Sequence, residues 1–211
     1  MSVTSLLASA LGHDDEKPNI ALAEKIVAEK NAAGVRELVD LLSGKNKALK
    51  SDAIKTLYEV GERAPEMIAP FIASFKNLLT SPDNRMVWGA MCAIDAIAGV
   101  KPEAVYMLLP QIMQAVDKGS VITRDHAMKA MVKLAAHERF ARSTVPLLLE
   151  HLRTAPVNQL PMYAELVGPV VRGKDATLFV TILEQRLVDV PQPPKRKRIE
   201  RAIKRCAVGG S

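Results

Sequence analysis

The sequence predicts an all-α protein, a right-handed α-α superhelix of about five stacked helical hairpins, and three observations carry that prediction. Apolar residues return at steps of three and four along most of the chain, the period of one face of a helix. The pattern itself recurs every 37 residues, so that Ala53, Ala90, Ala127 and Ala164 share one column. Aromatic residues are only 4% of the 211, fewer than a strand-rich domain draws on, while Ala, Leu, Met and Lys favour helices.

Residues 1–33 form an N-terminal segment and a capping helix, the latter an amphipathic stretch at 19–31. The repeat array occupies 34–172. Its predicted pairs are 34–43 with 46–62, 66–80 with 84–98, 103–117 with 121–137, and 142–154 with 158–172; Ser81-Pro82-Asp83-Asn84 is one of the polar breaks between partners. Second-helix columns read Leu57, Ile94, Met131, Gly168 and Val60, Ile97, Leu134, Val171. First-helix columns read Ile72, Leu109, Pro146 and Phe75, Ile112, Leu149, and Pro65 and Pro102 stand at the same interval. Residues 173–211 make a degenerate last repeat, 175–188 with 194–206, whose members are separated by Pro191, Pro193 and Pro194. Each hairpin has an apolar face that it cannot cover alone, so neighbours stack and bury a continuous core. An up-and-down bundle would share these helices but would not need equal spacing.

Several stretches bear on the kind of repeat: Leu109-Pro110-Gln111-Ile112-Met113, Val145-Pro146-Leu147-Leu148-Leu149, and the second-helix pattern Met86, Val87, Ala90, Ile94, Ile97, echoed by Thr123, Arg124, Ala127, Met131. Together they resemble HEAT repeats of the armadillo-like α-solenoid group. The family usually places a valine-arginine pair at the start of the second helix; Arg124 fits, Lys50 is close, and Val87 and Pro161 depart. The resemblance implies a concave face lined by the second helix of each repeat.

At 100° per residue, an inward Ala90 puts Arg85, Trp88, Cys92, Asp95 and Gly99 on the opposite side of their helix. The same register exposes Ser51, Lys55, Tyr58 and Glu62 one unit earlier, Ile122, Asp125, Lys129, Val132 and Ala136 one unit later, and Met162 and Leu166 after that. A mixed stripe of rings, apolar groups and charges suits another protein as ligand, because aromatic anchors with polar rims dominate interface energetics. Lys55, Tyr58, Arg85, Trp88, Asp95, Asp125, Lys129 and Met162 are therefore the candidate partner-binding residues of a non-catalytic scaffold. The wheel leaves a second reading of Trp88 open, in which it packs against a neighbouring unit beside Gly89.

The net charge of +6 resides in the last 17 residues, which hold seven basic groups and one acid, while the body balances 22 against 22. On a helix, Ile199, Ala202, Ile203 and Cys206 share one side, and Lys197, Arg198, Arg201, Lys204 and Arg205 share the other. Such a helix either caps the array or contacts phosphates of a nucleic acid, the alternative function. Lys195-Arg196-Lys197-Arg198 also resembles a nuclear import signal.

Catalytic and cofactor chemistry has little to attach to. His13, His126, His137 and His151 lack zinc-ligand spacing, no Gly-rich phosphate loop or Gly-x-Ser-x-Gly elbow is present, and neither an enzyme activity nor a cofactor or metal is expected. Cys92 lies near Asp95 with no evident His on its face, and reads as an inert thiol. His13-Asp14-Asp15-Glu16 could bind a metal loosely, and reads rather as part of a solvated N-terminal link. No apolar run reaches the roughly 18 residues of a membrane span, the N-terminus does not resemble a signal peptide, and two cysteines are expected to stay reduced. A soluble, cytoplasmic protein without membrane contact is the expectation.

Overall fold

The computed structural model describes residues 2–209, and every regular element among them is helical. The chain divides between Ala130 and Met131 into two compact units. The first begins with a 3-10 turn, Thr4–Leu6, followed by α1 (Lys17–Ala28), α2 (Ala32–Leu41), α3 (Lys47–Arg63), α4 (Pro65–Ile68), α5 (Ile72–Leu78), α6 (Asn84–Ala98), α7 (Pro102–Tyr106), α8 (Leu109–Lys118) and the start of α9 (Val121–Ala135). The second holds α10 (Glu138–Thr154), α11 (Leu160–Val167), α12 (Gly173–Arg186) and α13 (Pro193–Gly209). No helix of the described residues is long and apolar enough to cross a membrane.

Side-chain caps set the starts of α2, α3 and α6. The Asn31 oxygen accepts from Gly34 N, the Asn46 oxygen from Ala48 N and Leu49 N, and the Asp83 carboxylate from Arg85 N, which satisfies amide donors that have no partner inside a helix. Pro65 and Pro102 each occupy the first turn of α4 and α7, where a missing N–H costs nothing.

The first helix of a pair is less regular than expected. The stretch predicted as one helix over 66–80 is α4 and α5 joined by a 3-10 turn at Ala69–Phe71, and that predicted over 103–117 is α7 and α8. Pro70 lies in the first break and Pro110 in the opening turn of α8; a prolyl ring donates no hydrogen bond and crowds the preceding turn, so the helix restarts there. In the second unit α10 begins at Glu138 rather than 142, and α11 covers only Leu160–Val167 of the predicted 158–172 before a 3-10 turn at Gly168–Val170.

Beneath these breaks the repeat register holds. Ala53, Ala90, Ala127 and Ala164 are all at 0% exposure, and Val60, Ile97, Leu134 and Val171 are buried with them. α3 packs on α1, α2 and α6, and α5 packs on α6. A Cβ at Gly89 would meet Ile54 Cγ1 at 2.5 Å, so glycine is what lets α6 approach α3 this closely. In the second unit α10 packs on α11 and α12, and α13 covers both α11 and α12.

Two polar devices fasten the N-terminal segment. Glu37 accepts from the Ser2 and Thr4 hydroxyls and from the amides of Val3 and Thr4; burial alone would raise its pKa, and these donors outweigh it and hold the carboxyl at about 2. Asn19, fully buried, accepts from Ala8 N at 2.9 Å and donates to Asp52 at 2.8 Å.

Candidate functional site

Within the first unit, α3 and α6 lie side by side and bring together four of the candidate residues. Lys55 and Tyr58 are one helical step apart on α3, as are Arg85 and Trp88 on α6. The Tyr58 and Trp88 rings meet at 5.7 Å between centroids with a tilt of 50°. Lys55 Nζ stands 4.8 Å from the Tyr58 ring centre and the Arg85 guanidinium 4.3 Å from that of Trp88, both within cation–π range.

This face is not the open stripe the helical wheel predicts. Lys55 and Tyr58 are each only 8% exposed, and the reason is a lattice of charges across them. Lys55 Nζ donates to Glu59 at 2.6 Å, and Arg63 donates to the other Glu59 oxygen at 2.6 Å and to the Glu59 carbonyl at 2.8 Å. Glu16, from the turn before α1, reaches over both helices to pair with Lys55 at 3.4 Å and with Arg85. Burial opposes ionisation of Glu59, but Lys55 and Arg63 outweigh it and lower its pKa. Burial likewise opposes the charge on Lys55, yet Glu59 and Tyr58 hold its pKa above the ordinary value. The Tyr58 hydroxyl is raised by burial, with Lys55 pulling the other way. Trp88 is half-buried: it packs against Tyr58 as its packing reading requires, and it still meets solvent as its anchor reading requires.

Further along, the expected exposure of Cys92 and Asp95 is also corrected, since both are buried. His126 Nδ1 lies 2.8 Å from Asp95 Oδ2, so the histidine that the linear sequence does not place on this face comes from α9. Burial, followed by the Asp95 and Glu62 charges, pushes the Cys92 thiol up to about 12. A thiol raised that far is protonated at neutral pH. Asp125 and Lys129 are half-buried on α9. Met162, half-buried on α11, belongs to the second unit.

The basic helix α13 divides along its length. Ile199, Ala202 and Cys206 are buried, as its apolar side predicts, and Ile203 is half-buried. Arg198, expected among the free cations, instead grips Glu165 of α11 through two hydrogen bonds at 2.8 and 2.6 Å. A guanidinium and a carboxylate match as parallel donors and acceptors, and the pairing lowers the Glu165 pKa. Arg196 donates to the carbonyls of Leu187 and Val190, closing the turn that follows α12. Lys197, Arg201, Lys204 and Arg205 remain exposed.

Glu16, His126 and Arg186 are the residues that linear patterning misses as contributors. The Arg186 guanidinium donates to the carbonyls of Leu152, Arg153 and Ala155 and so caps the C-terminus of α10. An acid before a helix has a sufficient local explanation in the helix dipole, and nothing local announces that Glu16 reaches Arg85, 69 residues away.

Comparison with solved structures places the fold. Two engineered proteins, each 18% identical in sequence, match with TM-scores of 0.66 and 0.64; the first match covers 100% of this chain and 98% of the other, the second 99% and 100%. A designed armadillo repeat protein matches with a TM-score of 0.60 at 14% identity, over 96% of this chain and 99% of the other. The fold is an armadillo- and HEAT-like helical repeat solenoid. No family model and no curated protein matches the sequence.

Proposed function

We propose that the protein is a non-catalytic scaffold of HEAT-like type that binds a partner protein along the ridge of its second helices. Tyr58 and Trp88 are the anchor on α3 and α6, Lys55 and Arg85 frame them, and the half-buried Asp125 and Lys129 of α9 form the polar continuation, while the buried Asp95 stays with His126. The observation that carries this reading is the half-buried Trp88, the chain's single tryptophan, in contact with both the Tyr58 ring and the Arg85 guanidinium. A rigid aromatic surface of this kind loses little conformational freedom on binding, which is why such residues recur as hot spots. Protonated Cys92 supports a binding role over a catalytic one on this ridge. The two free, buried cysteines fit a cytoplasmic setting.

The test is affinity capture from the native lysate with wild type, Trp88→Ala and Val188→Ser, the last at an exposed site in the second unit. A species held by wild type and Val188→Ser but lost by Trp88→Ala is expected. Capture unaffected by Trp88→Ala contradicts the reading.

The alternative, nucleic-acid binding through α13, is favoured by the exposure of Lys197, Arg201, Lys204 and Arg205 on one helix; Arg198 is committed to Glu165. Phosphate neutralisation makes such binding steeply salt-dependent. A mobility shift with duplex DNA and RNA at two salt concentrations decides it, and no shift at low salt removes it.

A further inference from the structure

The charge lattice on α3 and α6 is balanced in part by two acids that belong to neither helix, Glu24 and Glu16. Lys55, Arg63 and Arg85 face Glu59, Glu24 and Glu16. Glu59 lies on α3 itself, four residues from each of its cations, and Glu24 lies on the neighbouring α1. Glu16 sits at the N-cap position of α1 without making a capping hydrogen bond. Its side chain is 45% exposed and spends both oxygens on the ridge, one on Lys55 and one on Arg85.

That occupation is incomplete. Arg85 gives Glu16 only a terminal nitrogen, while its Nε is buried and has no hydrogen-bond partner among the described residues. Guanidinium recognises carboxylate best through two parallel N–H donors, and Glu16 divides itself between two cations instead. Were Glu16 to turn away, Arg85 would lose the carboxylate that pairs with it among the described residues, leaving its charge stacked on Trp88. No capping hydrogen bond ties the Glu16 side chain to α1, so its two ion pairs are what hold it on the ridge.

We infer that the ridge recognises an acidic segment of its partner, a carboxylate seated on Arg85 and Lys55 beside Trp88, and that Glu16 is a built-in occupant displaced on binding. This rests on the ridge reading above and supplies the chemistry of the partner. The positive pair selects the acid, and the Trp88 face takes the apolar part of the same or the next residue. Glu16 lowers affinity for weakly matched acids and is outcompeted by one that engages the guanidinium through both donors.

The experiment is fluorescence anisotropy with a fluorescein-labelled octapeptide of alternating Glu and Ala, titrated with the full chain as wild type, Glu16→Gln, and Glu16→Gln combined with Arg85→Ala or Arg85→Lys. Apparent affinity scales with the fraction of sites left open, so Glu16→Gln is expected to bind about tenfold more tightly than wild type if Glu16 is seated about nine-tenths of the time. Arg85→Ala abolishes that binding, Arg85→Lys weakens it, and a Gln-for-Glu peptide does not bind. Circular dichroism checks folding; should Arg85→Ala be unfolded, Arg85→Lys carries the comparison. Equal affinity of wild type and Glu16→Gln, indifference to Arg85, or no binding by Glu16→Gln overturns the inference. The two readings fail separately. Lysate capture that needs Trp88 while the peptide shows no preference leaves the ridge and removes the acid; peptide binding as expected with capture indifferent to Trp88 does the reverse.

Discussion

The ridge of α3 and α6 and the basic helix α13 are built from the same kinds of residue and use them in opposite ways. On the ridge, Lys55, Arg63 and Arg85 are each tied to a carboxylate, and two of the three, Lys55 and Arg85, also lie over aromatic rings. On α13, the cations of the first turns fasten the helix to its neighbours, and those on its outer face stand in water. A charge count along the sequence therefore points to α13, while the strongly organised electrostatics are in the electrically balanced part of the chain. Availability depends on which acids lie within reach, and reach across helices is set by packing.

If α13 is chiefly a cap, deleting residues 191–211 has the largest effect of any change considered. It uncovers α11 and α12 and removes Ile199, which is fully buried. A loss of roughly 5 kcal/mol or more is expected, enough to melt the second unit. Urea denaturation followed by circular dichroism reads it, and unchanged stability would turn α13 into a detachable binding element.

Beneath the ridge, Ala90→Asp buries a carboxylate with no partner at a position of 0% exposure. It is expected to cost about 3–5 kcal/mol. The same denaturation curve checks it. Full stability would mean that α6 is rotated from the orientation described.

The charge pairs sharpen the contrast further. Glu59→Gln breaks a buried arrangement and strands part of the positive charge of Lys55 and Arg63, for about 2 kcal/mol after allowing for Glu16 and Glu24. Glu165→Gln breaks a pair whose members are 41% and 43% exposed, for less than about 1 kcal/mol. Because the folded pKa of Glu59 lies below its ordinary 4.5, its contribution is present above pH 4.5 and is lost as pH falls through the depressed value. Wild type should therefore lose more stability than Glu59→Gln between neutral and acidic pH. Equal acid sensitivity of the two would show that the ridge carboxylate is as solvated as the one under α13.

Much of the fold is legible in the linear sequence, for a definite reason. A residue such as Ala90, in close contact with the next layer, must be small in every unit, and apolar columns such as Val60, Ile97 and Leu134 must be large. Stacking thus imprints its period on the sequence. The breaks at Ala69–Phe71 and before α8 leave no such imprint, because the apolar spacing runs on through the turn and only Pro70 and Pro110 mark the restart. The ridge was legible as a set of neighbours and not as an environment. Helical geometry places Tyr58 and Trp88 on the outer side of their helices, yet burial of Tyr58 and Lys55 comes from Glu16 and from α6, which no local pattern records. His126 beside Asp95 is of the same kind: two helices must pack before the pair exists.

The central claim is that Trp88 lies in the binding surface, and its own fluorescence tests this most directly, since the chain has no other tryptophan. On titration with the captured partner, purified and lacking tryptophan by substitution, emission from Trp88 should shift and become shielded from acrylamide. The response should persist when residues 191–211 are removed if the first unit remains folded. Unaltered emission and quenching at saturation would contradict the account.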